Sequence, residues 1–586
     1  WGESPAHFSI ERAELRRGSA DGLAAPRTRD LPISDWIDNV EPKLDGQPLA
    51  LQRYERSRSL AIAADGGHFL LGTEWTLRYF DAGGEQQWQQ PAPGVAWAVN
   101  LSEDGRLAVA GFGDGTLRWY RVSDGEELLA LFAEPPDADS DADNPLRWVL
   151  WTPQGYYRAS AGGEALIGWH LNNGADKAPD FYSADRFREQ FNRPDVIERV
   201  LQTLDVGEAL RLADAARGQN RPTVKTDLRD ALPPVIEILD PSVPVPQRES
   251  VLKLFYSAES RTAPIDAVRV QINGRDAELV VPHEPKLMSG GLIAQGVVQV
   301  RMPPEDATVT LLASNRHGSS SPASYFAEWQ GAADSFKPRL FVLAVGVSEY
   351  RDSGYRLDFA AKDARDFADA IKQQKGGLYR DVQVKVLPDS KASKGAILDG
   401  FDWLARQTGK RDVAMLFVSG HGKRDARGKY RFLPWDYDPI RERRTTITDA
   451  DLFDFLGSVP GKVVAFLDTC YAGAGRQTKG AAQPDVDGLA NQLADAERGV
   501  IVFASSTGKQ YSLEDERWQN GAFTKALAEG IRGQADLTAD WFVSLAELEA
   551  FVGERVQELT DGRQTPVVTK PEAVQDFKMI HVRQED

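Results

Sequence analysis

The chain's 586 residues exceed what one hydrophobic core serves, and 42% hydrophobic with 27% charged residues is a globular composition, so three or more folded domains are expected. A net charge of −18, with no basic run beyond the short RERR at 441–444, argues against holding a phosphate backbone, and no nucleic-acid partner is expected. A single cysteine excludes an internal disulfide and every multi-cysteine zinc or iron–sulfur pattern, and no apolar run approaches the roughly 20 residues that span a bilayer.

The opening residues, WGESPAHFSIERAELRRGSADG, carry no signal-peptide core, and Trp1 is not an initiator Met. A cytoplasmic location is expected, with periplasmic or exported locations left open by a segment upstream. Three stretches then share one plan. AADGGHFLLGTEWTLRYFDAGGEQQW from Ala63, SEDGRLAVAGFGDGTLRWYRVSDGEELL from Ser102 and TPQGYYRASAGGEALIGWHL from Thr152 each run turn, short strand, small residues, turn, aromatic strand. Gly66 and Gly105 lie 39 residues apart, close to the roughly 40 to 45 of a WD-repeat propeller blade, and the acidic insert EPPDADSDADNP lengthens the next interval. Residues 1–174 therefore resemble propeller-like blades of the WD-repeat kind, although the Trp-Asp dipeptide is absent from them. Three blades, or four if PKLDGQPLALQRYERSRSLAI completes one, are at or below the lower limit of closure, and further blades upstream are preferred to closure by the rest of the chain.

After His170 the period turns helical. A Ser N-cap in SADRFREQF and a Pro at the start of RPDVIERVLQTLDVGEALRLADAARG, with Val196, Val200, Leu201 and Leu204 on one face, predict a helical connector over 175–229. Short alternating strands between Pro, Gly and Asn turns, with an Asn-Gly hairpin signal at 273–274, predict an immunoglobulin-like β-sandwich over 230–330. QGAADSFKP reads as a linker. From 338 to 586, apolar strands such as RLFVLAVGV, DVAMLFVSG and KVVAFLD alternate with helices, the pattern of a mostly parallel sheet covered on both faces.

Chemistry in such sheets sits beyond the carboxyl ends of the strands. One strand runs into Gly420-His421-Gly422 and another into Asp468-Thr469-Cys470, so neighbouring parallel strands would deliver an imidazole and a thiol to one rim. A thiolate nucleophile needs a base beside it and a proton donor for the leaving amine, and histidine serves both tasks. The flanking glycines leave peptide N–H groups for an oxyanion, with those of Gly422 and Cys470 as candidates. A small buried hydrophobe is the ordinary role of a lone Cys, but a glycine-flanked His at a strand end suits a core poorly.

SGHG closing one strand and DTCYAG closing a later one resemble the His and Cys motifs of the caspase-like clan of cysteine peptidases, and within it the metacaspases and paracaspases. The whole arrangement, with phrases such as WVLWTPQGYY, LIGWHLNNG and RPDVIERV, is similar to bacterial WD-repeat caspase-family proteins. The resemblance implies His421 as general acid and base and Cys470 as nucleophile of an acyl-enzyme, with no obligatory third member. Asp468, two residues before Cys470 and so on the same strand face, departs from the Gln-Ala-Cys context of caspases proper and suits a substrate Arg or Lys. By resemblance, Asp363 and Ser419 line the same pocket, and Glu514 and Asp515 sit on a further substrate loop. For Asp363 the alternative is a solvated helix face, because Asp366 and Asp369 follow it at helical spacing.

The polar stretch 474–498 looks like a loop that relatives cut during maturation, and Arg476, Lys479 and Arg498 fit self-cleavage after basic residues. No metal or cofactor is expected. Calcium activation is weighed on Asp436, Asp438, Asp449 and Asp451, which without EF-hand spacing read better as a solvated loop. No Walker loop, HExxH or GxSxG occurs. The expected function is a cysteine endopeptidase acting on proteins or peptides after Arg or Lys, with the WD-repeat and sandwich regions recognising protein partners. The rival is a binding scaffold or sensor with a silent caspase-like domain; an aspartate-directed caspase is disfavoured by the acidic pocket.

Overall fold

A computed structural model describes residues 6–10, 13–18, 22–134, 146–175, 179–218, 231–243, 245–331, 336–425, 429–471, 486–493, 499–506, 512–571 and 574–583. They fall into two compact units, one within 1–140, 146–167 and 187–222, the other within 141–145, 168–186 and 223–586.

In the first unit, strands β1 (Ser57–Ile62), β2 (His68–Thr73), β3 (Thr76–Asp81) and β4 (Gln86–Pro91) form a four-stranded antiparallel meander. A second meander of six strands runs from Ala96–Leu101 to Tyr157–Ala159. Of the third sequence repeat, Tyr157–Ala159 extends this sheet instead of starting another, pairing with Trp148–Trp151 just ahead of the repeat, which itself pairs with Ala130–Ala133, while Gly168–Leu171 falls in the second unit. The helices Pro194–Thr203 and Val206–Ala216 sit in the same unit. Val196, Ile197, Val200 and Ala209 pack on Leu128, Leu129, Leu131 and Trp148, so the segment read as a connector contributes to a core.

In the second unit, two antiparallel sheets enclose one core around Leu254, Tyr256, Val298, Val309 and Leu311. Strand Val251–Glu259 alternates buried and exposed residues, the pattern of a sheet with one wet face. The hairpin of Gly168–Leu171 with Asp180–Ser183 joins these sheets through Arg261, which pairs with Asp180 at 2.8 Å.

The remaining chain builds a mixed sheet. Its strands are β5 (Arg339–Gly346), β6 (Asp381–Pro388), β7 (Val413–Arg424), β8 (Tyr430–Phe432), β9 (Lys462–Tyr471), β10 (Val500–Ala504) and β11 (Val567–Thr569), with path β6-β5-β7-β9-β10-β11, and the two-residue strand Ile447–Thr448 pairs with β8 off that path. The first five members of that path are parallel and β11 is antiparallel. Helices α1 (Ala360–Lys372), α2 (Lys394–Gln407), α3 (Asp449–Ser458), α4 (Ala522–Glu529) and α5 (Leu545–Thr560) cover it. Period-two alternation divides β5 cleanly: Leu340, Val342 and Ala344 enter the core under α1, α4 and α5, while Phe341, Leu343 and Val345 enter the core under α2 and α3. Capping boxes at Thr448 and Ser544 start α3 and α5. No described helix is long and apolar enough to cross a membrane.

Candidate active site

The site lies at the carboxyl ends of β7 and β9. Along β7, Met415 and Phe417 point into the core beneath α1, and period two carries Ser419 onto the same face. Gly420 then turns the strand at φ +150, where an added Cβ would stand 3.0 Å from the Tyr350 hydroxyl and 3.1 Å from the Phe432 ring. Only glycine meets both demands.

His421 follows, 5% exposed. Its backbone N–H donates to the Tyr350 hydroxyl at 2.8 Å and its carbonyl accepts from the Leu433 N–H at 2.9 Å. The ring lies between Tyr350, tilted with centroids 5.3 Å apart, and Tyr355, edge-on at 6.2 Å. Nε2 is 3.0 Å from the Tyr355 carbonyl oxygen. A carbonyl only accepts, so Nε2 carries the proton in the neutral ring and Nδ1 keeps the lone pair. Parallel pairing of β7 with β9 sets Ser419 opposite Asp468, His421 opposite Cys470, and Gly422 opposite Tyr471. Neighbouring strands run about 4.8 Å apart, so the backbones bearing imidazole and thiol are immediate neighbours.

Beside this pair two carboxyl groups are buried together. Asp468, 3% exposed, accepts from Ser512 Oγ at 2.5 Å on Oδ1 and from Thr524 Oγ1 at 2.7 Å on Oδ2. Asp363, on the first turn of α1 and 1% exposed, accepts on Oδ1 from the Asn520 side-chain amide at 3.0 Å and the Gly521 N–H at 3.1 Å, and on Oδ2 from Ser419 Oγ at 3.3 Å. The two carboxylates converge on Gly521: a Cβ there would lie 3.0 Å from Asp468 Oδ2 and 3.3 Å from Asp363 Oδ2. Burial pushes both carboxyls above the usual carboxylate range, and the charge of Asp468 pushes Asp363 further.

Glu514 accepts from the Asp358 and Phe359 N–H groups at 3.0 and 3.4 Å, capping the start of α1, and burial raises its carboxyl as well. Asp515 instead turns to Arg517, with Nη2 2.8 Å away, and that partner holds it below the usual range. Of the two loop acids, then, Glu514 supports the helix that carries Asp363, and Asp515 is engaged elsewhere. Arg476, Lys479 and Arg498 lie outside the described residues.

The four acids weighed for calcium are each used locally. Asp436 accepts from the Lys394 N–H at 2.8 Å, Asp438 from the Ile440 N–H at 2.9 Å, Asp449 pairs with Lys429 at 3.5 Å, and Asp451 completes the Thr448 capping box. Among the described residues no three His, Cys, Asp or Glu side chains gather to hold a metal ion. The sequence reading missed Tyr350, Tyr355, Ser512, Asn520, Gly521 and Thr524, which position the rest. Only the Asn-Gly pair ahead of α4 carries a local signal, that of a turn.

Residues 339–578 match the caspase domain family, and a caspase domain implies a cysteine peptidase acting on protein substrates. No curated protein matches the chain. Among solved structures it is similar to the protein GSU0716 from Geobacter sulfurreducens, at 19% identity and a TM-score of 0.31 over 42% of this chain and 100% of that one. It is also similar to the computationally designed Ika4 protein, at 17% identity and a TM-score of 0.14 over 18% of this chain and 73% of that one.

Proposed function

We propose, from the premise of a caspase domain at residues 339–578, that the chain is a cysteine endopeptidase that cuts after Arg or Lys. The single observation that carries the basic specificity is the convergence of buried Asp363 and Asp468 on Gly521, beside the strand ends where His421 stands opposite Cys470. The pair has hydrogen-bond donors but, among the described residues, no ion pair, so its ionised form is costly, and a substrate guanidinium or ammonium would lower that cost. This favours the metacaspase and paracaspase kind of pocket over one built for aspartate.

In the reaction, Nδ1 of His421 takes the Cys470 proton while the Tyr355 carbonyl holds Nε2–H and so fixes the ring. The thiolate attacks the scissile carbonyl, and its oxyanion is received by the N–H groups of Gly422 and Cys470. Imidazolium protonates the leaving amine, and water, deprotonated by the same imidazole, then releases the acyl group. The first unit, as WD-type blades, and the sandwich, as an immunoglobulin-like module, are assigned to recognition of protein partners.

Hydrolysis of fluorogenic peptides ending in Arg, Lys or Asp, with and without calcium, tests the reading. Cleavage after Arg and Lys that disappears in Cys470→Ala and falls on the order of 100-fold in Asp468→Asn is expected, the size of losing one charge-assisted contact. Silence on every substrate from folded protein with a titratable thiol would reject it in favour of a binding scaffold.

A further inference from the structure

Between the first and second sheets of the first unit lies a cleft of ≈ 440 Å³, a size suited to a side chain or small ligand. Its floor is aromatic. Tyr79 of β3, 6% exposed, is stacked between His68 of β2 and Trp88 of β4, each with its centroid 5.3 Å away. The Trp88 indole N–H donates to the Val122 carbonyl at 2.6 Å. Among the described residues, by contrast, neither the Tyr79 hydroxyl nor the His68 ring makes a hydrogen bond. Both therefore keep hydrogen-bonding capacity for a ligand in the cleft.

The rim is acidic. Asp65, Glu103 and Asp104 line it, and no Lys or Arg does. Asp65 and Asp104 are already oriented, by the Gly67 N–H at 2.8 Å and the Arg106 N–H at 3.1 Å. Burial, with the charge of Asp65 second, pushes the Tyr79 phenol up to about 12, so the hydroxyl stays protonated at neutral pH and its lone pairs remain available to a donor. The acids do not gather into a metal-holding set. An extended organic cation fits better, its head passing between the acids to the Tyr79 hydroxyl and its apolar stem lying toward the opening.

We propose that this cleft binds an arginine side chain presented by a protein or peptide segment, with Asp65, Glu103 and Asp104 as counter-charges and the Tyr79 hydroxyl as acceptor. A planar guanidinium offers donors in a fixed fork to carboxylate and phenol together and packs against aromatic surface, which an ammonium does less well. The cleft opens at its charged rim, so the bearing chain stays outside while the side chain enters. None of these residues belongs to the acidic pair of the peptidase reading, and the inference stands without it.

The test is fluorescence anisotropy of a labelled Gly-Ser peptide carrying three arginines, titrated in ~0.15 M salt, where long-range attraction is screened, with a parent protein that is the full chain bearing Cys470→Ala and Asp468→Asn, so that neither cleavage nor the acidic pocket beside Cys470 contributes. Asp65→Asn with Glu103→Gln is expected to weaken binding at least ~10-fold and Tyr79→Phe, which keeps the stack, ~3- to 10-fold, as for lost charge-assisted contacts. Glu237→Gln with Glu249→Gln removes the same charge from exposed positions on the sandwich and is expected to change Kd less than ~2-fold. Equal losses in the cleft and sandwich doubles, or an unchanged Kd in Tyr79→Phe, would reduce the effect to general electrostatics and overturn the proposal. Absence of binding by the parent protein would overturn it equally.

Discussion

Asp363 shows what one residue's burial does to a sequence pattern. It opens a run with Asp366 and Asp369 that suits a wet helix face, and Asp369 is indeed exposed, yet Asp363 is sealed against Asp468. Nothing in the spacing announces this, because the partners Ser419, Asn520 and Gly521 arrive from β7 and from a turn more than 150 residues along the chain. That His421 and Cys470 end neighbouring parallel strands was legible because an apolar run leads into each; the donors that hold Asp468 were not, since Ser512 and Thr524 look like any hydroxyls. The energetics follow from the raised carboxyls. A folded-state pKa above the unfolded value means that the folded protein binds more protons, so stability is present at low pH and is lost as pH rises above the ordinary carboxylate value. Asp363→Asn, which keeps an acceptor for Gly521, is expected to raise the melting temperature at pH 8 by about 2–4 °C, with the gain shrinking toward pH 4. The same variant should lose on the order of 100-fold in kcat/KM on Arg peptides. A lower melting temperature at pH 8 would show that the pair is not a cost to the fold. Gly521→Ala puts a methyl between the two carboxylates while its backbone, φ −65 and ψ 144, tolerates any residue. It should raise KM for Arg peptides more than it lowers kcat, with stability changed by about 1 kcal/mol.

At the scale of elements, apolar runs bounded by glycine identified the parallel strands, because strands buried on both faces leave no polar positions to interpret. The helices at 194–216 were legible as helices but not as core. Periodicity finds an apolar face and is silent on which sheet covers it. Close contact between elements is likewise invisible in sequence, and glycines test it. Gly346 ends β5 where α1 begins, and a Cβ there would sit 2.2 Å from the Ala360 carbonyl oxygen, which is helix backbone and cannot step aside. Gly346→Ala is expected to destabilise by about 1–3 kcal/mol and, by displacing the helix that carries Asp363, to lower cleavage after Arg beyond what the stability loss explains. Gly553, inside α5, faces open space, with nothing within 4 Å of where an added Cβ would stand. Gly553→Ala should instead stabilise by about 0.5–1 kcal/mol, from helix propensity alone. Thermal melts of the two variants read both signs, and a Gly346→Ala protein as stable as its parent would refute the packing argument.

On the scale of the molecule, the sandwich and the peptidase sheet belong to one compact unit, and the contacts between them explain why. The sandwich hairpin at Asn273–Gly274 reaches the loop that enters β10, so closely that a Cβ on Gly499 would stand 1.8 Å from the Gly274 carbonyl oxygen. Next to it Arg275, 9% exposed, donates through Nη1 to the Leu456 and Val459 carbonyls at 3.1 and 3.3 Å, capping the end of α3 just before β9, the strand of Asp468 and Cys470. Burial pushes its guanidinium down to about 10, still protonated at neutral pH. Thr308 adds a bond from the Gln575 amide at 2.9 Å. The Asn-Gly signal foretold this hairpin but not its partner. A sandwich docked in this way is expected to unfold together with the peptidase sheet in a single calorimetric transition. Arg275→Ala leaves two buried carbonyls without their donor, a cost of about 1–3 kcal/mol, and should lower that one transition and reduce peptide cleavage with it. Two separate transitions in the parent protein, with only the lower one moved by Arg275→Ala, would mean that the sandwich is an independent module whose loss the active site does not feel.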